Sequence, residues 1–264
     1  MVESNNSSNP GESFRGIADL LQHPLNTARA HQQRMASLLL EIAGLDGMDK
    51  LAVEGCLPGL FLSHFQRIME LFDESSRLSL GQLRDASFTA QCQIGCHHCC
   101  YHMPTGLSTA ELIFVYHGMQ QNGSASKFFR RCLEAEELWV EVFHRQACEG
   151  TGQDFWAQTI ASLATSYCGF EQPCPFLEGN LCQIYPYRPL ACRVHFSLSP
   201  PPWCRPSHFQ NPHALRFNLE PGKCVFDALE KLEDRFHLDF SDVMICGLLE
   251  LTVNVMRFHK IRWW

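Results

Sequence analysis

Nine residues, Cys92-Gln93-Ile94-Gly95-Cys96-His97-His98-Cys99-Cys100, carry four thiols and two imidazoles. Four more cysteines, Cys174, Cys182, Cys192 and Cys204, follow after an intervening stretch of helical character. Thiolates held together repel one another unless protons or a cation neutralise them, and they are soft ligands, so this density points to metal. Spacings of two and three residues let neighbouring thiols converge on one ion. Cys99 and Cys100 differ, because consecutive side chains diverge; one of them is expected to serve a second metal, to bridge two, or to face the core. Four thiolates complete a tetrahedral zinc. Eight candidates exceed that number, so two metals or one polynuclear cluster fit the count better.

The chain has 264 residues and is 45% hydrophobic, enough to bury a core without covalent staples, so its 14 cysteines do not read as a secreted disulfide framework. The first ten residues, Met1 to Pro10, have no basic start and no apolar run, unlike a secretory signal, and a reducing cytoplasm is the expected compartment. A net charge of −7 provides no global field for a phosphate backbone, so no nucleic-acid partner is expected. The most apolar helical stretch, Val243 to Met256, carries Glu250 and Asn254 and is too short to span a bilayer.

The expected architecture is mainly α: a helical domain with a central cysteine-rich, loop-rich metal-binding region. Residues 1–14 read as a Ser, Asn, Gly and Pro-rich tail, 15–89 as an N-terminal helical region, 90–224 as the metal-binding region with a helical insertion over 108–167, and 225–264 as C-terminal helices. Met35, Leu38, Leu39 and Ile42 recur at helical spacing, and Gly44 and Gly47 end that helix. Pro58 suits a first helical turn before Phe61, Phe65, Ile68, Met69 and Phe72. Asn122-Gly123 and Asp154 read as a helix stop and a helix cap. Further helices are expected over Asp227 to Phe236 and Ser241 to about His259. Cys56, Cys132 and Cys246 fall in apolar surroundings and read as core thiols. From Cys168 to Pro221 apolar periodicity disappears, and a loop of that length needs something other than regular structure to hold it; metal would serve.

Several residues around the cysteines admit two readings. Ser108 and Glu111 have capping-box spacing, so Glu111 is either a helix cap or a carboxylate turned to the metal. Arg188 and Arg193 bracket Cys192 and either offset thiolate charge or pair with carboxylates. His97, His98, His102 and His195 are near enough in sequence to ligate, although a lone histidine is more often simply hydrogen-bonded.

Cys96-x2-Cys99-Cys100, Ser108-Thr109-x-Glu111, Cys174-Pro175-Phe176-Leu177 and Cys182-x-Ile184-Tyr185-x2-Arg188-Pro189-x2-Cys192-Arg193 together resemble the YkgJ-type cysteine-cluster family over about residues 90 to 200. The resemblance implies chelation of zinc or iron, the iron alone or as an iron–sulfur cluster, and it supplies no defined reaction. The expected ligands are Cys96, Cys99, Cys174, Cys182 and Cys192, followed by Cys92, Cys100 and Cys204, with Glu111, Tyr185, Arg188 and Arg193 around them. This chain has His97-His98 where the family's commonest form has Gly. Some relatives resemble flagellin lysine N-methylases, which implies S-adenosylmethionine as an alternative cofactor, but no Gly-rich strand-to-helix turn is present. Cys92-x3-Cys96-x2-Cys99 is also the spacing of radical S-adenosylmethionine enzymes; His98 stands where those have an aromatic, and the chain has no Gly-Gly pair. Dithiol oxidoreductase and haem-attachment readings fail on local residues: the βαβ context is missing, and Cys100 occupies the histidine position of Cys-x2-Cys-His.

Overall fold

The computed structural model describes Ile17, Leu20, Leu21 and residues 25–121, 123–149 and 155–264, leaving aside the side chains of residues 147–149, 155–159 and 161. The expected tail over 1–14, the stop at Asn122, the cap at Asp154 and the Cys148 side chain lie outside this description. Helix α1 (Asn26–Ala43) buries Met35, Leu38, Leu39 and Ile42, the face its periodicity marks. The chain turns at Gly47, whose φ of 79° disfavours a side chain, and passes through the short α2 (Lys50–Glu54). Pro58 lacks an amide hydrogen and precedes α3 (Gly59–Asp85), which turns Phe61, Phe65, Ile68, Met69 and Phe72 inward. α1 packs along α3 and also along α8 (Lys223–Glu233), so helices distant in sequence share one core.

Helix α4 (Thr109–Gln121) is buried over nearly all its length, as a helix apolar on every side must be. α5 (Ala125–Glu149) buries Phe128, Cys132, Ala135, Trp139 and Val142, and α6 (Phe155–Gly169) lies against it. The expected core thiols Cys56 and Cys132 are buried, and Cys246 is half-buried against the core. α8 begins four residues before Asp227, because Gly222 after Pro221 holds the extended conformation of a helix entrance. α9 (Met244–Glu250) continues only as a π-turn over Leu251–Val255 and stops short of His259. The amide of Met256 donates to Leu251 at 2.8 Å, a five-residue step that a 3.6-residue periodicity does not encode. Three two-stranded pairs complete the described elements: β1 (Cys56–Leu57) runs parallel to β6 (Arg262–Trp263), while β2 (Leu177–Glu178) with β3 (Leu181–Cys182) and β4 (His195–Ser197) with β5 (Arg216–Asn218) are antiparallel. Trp263 stacks on Phe61 at 6.1 Å, so the aromatic C-terminus packs back on the body.

The fold is mainly helical with the cysteine-rich stretch at its centre, as the sequence leads one to expect. The stretch from Cys168 to Pro221 is better anchored than its lack of periodicity implies. Phe176, Ile184, Leu190, Val194 and Leu219 all reach the interior. They are single apolar residues at irregular intervals, which fit neither a helical nor a strand repeat. The segment is therefore held by packing as well as by anything its cysteines bind.

Candidate metal centre

Cys99 and Cys100 lie on a 3-10 turn, His98–Tyr101. The amide of Cys174 donates to the carbonyl of Cys100 at 2.7 Å and joins the segment after α6 to that turn. β2 and β3 then bring Cys182 opposite Leu177, the reversal between them made by Gly179 and Asn180, both at positive φ as a tight hairpin requires. Arg131 on α5 fixes this hairpin: its Nη2 donates to the carbonyls of Cys174 at 3.3 Å and Leu177 at 2.9 Å. Cys192 sits on the one-turn helix α7 (Leu190–Arg193).

The thiols fall into two groups. Cys192, raised first by its own burial, is raised further by Cys174, Cys99 and Cys182 and lowered by Arg188, and Cys100 is affected by Cys99, Cys174 and Cys192. These five, from four chain segments, form an inner group. Cys92 is affected by Cys96, Cys99 and Cys204, and Cys96 by Cys99 and Cys204, which makes an outer group with Cys99 at the junction. The backbone builds the outer group by the amide of Gln91 donating to Ser197 at 2.7 Å and by the His98–Tyr101 turn packing on the turn Pro201–Cys204.

Burial pushes the Cys92 thiol up to about 11 and the Cys174 thiol up to about 12. Cys99 goes the other way, below the usual thiol range, first because Cys100 hydrogen-bonds to it and also because Arg188 lies near; the same hydrogen bond raises Cys100. Backbone amides two residues on donate to three sulfurs: His98 to Cys96, Phe176 to Cys174 and Ile184 to Cys182. Amide bonds of this kind favour the anionic sulfur that a metal needs. Spacing alone gives no sign of them.

The two arginines have different roles. Arg188 stacks over Tyr185 at 3.8 Å and lowers Cys99, Cys182 and Cys192, with a smaller contribution from Arg193 at Cys182. Arg193 is buried and holds the loop, donating to the carbonyls of Arg188 and Pro186 at 2.8 Å each and to Asp73 Oδ2 at 2.5 Å. Glu111 completes the capping box with Ser108 and also accepts from the amide of Leu190 at 2.8 Å, so one buried carboxylate caps α4 and the helix carrying Cys192. Burial raises its pKa, against these hydrogen bonds. Glu111→Gln leaves one oxygen where the Ser108 and Leu190 amides use two, so one of these amides loses its acceptor; helicity should be retained at a smaller loss of stability than for alanine. Glu111→Ala strands the Leu190 and Ser108 amides and should cost about 1–3 kcal/mol per unsatisfied group, read from thermal unfolding.

Among the four nearby histidines, His97 Nδ1 is 3.2 Å from the Gly95 carbonyl and His195 Nδ1 is 2.8 Å from Asn218 Oδ1. His102 Nε2 is 3.4 Å from the sulfur of Cys168, a pairing that sequence reasoning missed because Cys168 closes a helix far along the chain. His98 Nδ1 is buried with no hydrogen-bond partner. A cavity of about 870 Å³ opens beside the outer group; Cys92, Cys96, Cys99, Cys204 and His98 line it, whereas Cys100, Cys174, Cys182 and Cys192 do not. Among the described residues no three His, Cys, Asp or Glu side chains already meet in coordination geometry, so the sulfurs are gathered but not converged. The donor chemistry nonetheless suits a thiophilic ion: soft sulfurs, amides directed at them and a guanidinium to offset their charge.

A family model described as "CxxCxxCC: Putative zinc- or iron-chelating domain" matches residues 91–224, just over half of the chain. The chain belongs to the CxxCxxCC family. The matched span contains all eight thiols of the two groups. The family label has two residues between its first two cysteines, whereas three separate Cys92 from Cys96 here; the additional residue is taken up in a turn, with the Cys96 amide on Gln93 at 3.0 Å and Gly95 at a φ of 85°. Comparison with curated proteins and with solved structures gives no match.

Proposed function

We propose that this CxxCxxCC protein chelates zinc or iron through the inner thiols Cys99, Cys100, Cys174, Cys182 and Cys192 and the outer thiols Cys92, Cys96 and Cys204. The observation that carries this reading is the gathering of cysteines from separate chain segments around Cys99, the one thiol of the group that is lowered, while burial raises Cys182 and Cys192 against the opposing charge of Arg188. A bound ion neutralises thiolates that would otherwise repel. Arg188 tempers the charge of the inner group, while Arg193 and Glu111 fix the backbone that presents Cys192. Nothing observed favours methyl transfer or radical chemistry.

Reduced, metal-free protein titrated with Co(II) should develop the intense near-ultraviolet absorption of thiolate-to-cobalt charge transfer. Cys182→Ser and Cys192→Ser should diminish that absorption, while Cys132→Ser, at a buried position of α5, should leave it intact. Equal loss in all three variants contradicts the ligand assignment.

A further inference from the structure

We infer that the two thiol groups differ in exchange: the inner group retains its ion, and the outer group, reached through the cavity, is a site from which a divalent thiophilic cation is loaded and released. The inference rests on the chelation reading and adds a division of labour to it. Its ground is the lining of the cavity, which includes Cys92, Cys96, Cys204 and the shared Cys99 but none of Cys100, Cys174, Cys182 and Cys192. The orphaned Nδ1 of His98 on the same wall supplies a fourth donor for the outer thiols and leaves Cys99 to the inner set.

The remainder of the wall suits a cation in transit. Five carboxylates, Glu111, Glu220, Glu230, Glu233 and Asp242, line the cavity against one guanidinium, Arg216. Glu111 is committed to Ser108 and Leu190, and Glu233 accepts from the amide of Thr109 at 2.9 Å. Glu220, which accepts from the side-chain amide of Asn218 at 3.1 Å, sets the negative sign of the approach with Glu230 and Asp242, and a low-dielectric cavity of one sign concentrates ions of the other. Hard carboxylates bind a soft ion loosely, so they speed its passage to the thiols without trapping it.

The test uses zinc alone. Protein loaded with zinc and challenged with excess chromogenic chelator should release it in two phases. Cys204→Ser should abolish the fast phase and keep the slow one, and Cys182→Ser should do the reverse. His98→Gln, which leaves every thiol in place, should accelerate the fast phase only, and this variant decides the matter if Cys204→Ser does not fold. Glu230→Gln combined with Asp242→Asn should slow zinc uptake by about threefold to tenfold at low salt, with the difference lost in 1 M salt. A single phase that both serine variants remove together identifies one polynuclear centre and overturns the division. Uptake indifferent to the two carboxylates overturns the route. Wild-type protein that binds no zinc or iron overturns chelation itself, a result distinct from either.

Discussion

Phe176→Ala should cost about 3–5 kcal/mol and detach the hairpin that carries Cys182. Phe176 has no exposed surface and meets Phe128 of α5 edge-on, with centroids 5.3 Å apart. It stands two residues from Cys174, to whose sulfur its amide donates, and the Gln183 amide bonds to its carbonyl at 2.8 Å. Loss of the ring therefore leaves a large cavity under the inner thiols and releases both strands of the β2–β3 pair. Chemical denaturation should show a lowered midpoint with the slope preserved. Limited proteolysis should show new cutting near Gly179-Asn180, while the α1–α3–α8 core remains resistant. An unaltered midpoint would mean that the hairpin does not depend on this anchor.

Arg193→Ala should destabilise the chain by about 2–4 kcal/mol, somewhat below the usual loss for breaking a buried pair because Asp73 keeps 42% of its side chain exposed and can be rehydrated. The carbonyls of Arg188 and Pro186 lose their charged donor at the same time. The effect should extend to the metal site, since those carbonyls belong to the turn that directs Arg188 at Cys99, Cys182 and Cys192. Arg193→Lys should recover less than half of the loss, because a single ammonium on a linear stem cannot reproduce three donors in a planar fork. Thermal unfolding of the two variants side by side is the check; equal stability of the lysine variant and the wild type would contradict the role assigned to the fork.

Much of the helical frame was legible because burial on one face repeats at 3.6 residues, as in α1, α3 and α5. The π-turn after Glu250 was not, since it changes the hydrogen-bond step without changing residue type. The loop anchors were hidden for a different reason: Phe176, Ile184 and Leu190 act singly, and their partners lie on helices far away in sequence. Likewise, spacing marks the cysteines but cannot sort them, because Cys204 joins Cys92 and Cys96 only through the turn-to-turn packing of residues 98–101 with 201–204. Arg188 and Arg193 looked equivalent beside Cys192, and only the fold shows that Arg193 is the one that also ties down the carbonyls of Pro186 and Arg188. Glu111 showed its cap from sequence, yet its second acceptor role, on Leu190, spans 79 residues.

Chelation itself is tested most directly by elemental analysis of protein purified without oxygen and without added chelator, paired with its absorption spectrum and a thiol titration. The account predicts zinc or iron retained at one equivalent or more, with thiolate-to-iron absorption if the metal is iron, and a set of cysteines that reacts with thiol reagents only after the metal is removed. Protein that is metal-free as isolated, takes up neither zinc nor iron when reduced, and has all the thiols of both groups freely reactive would contradict it.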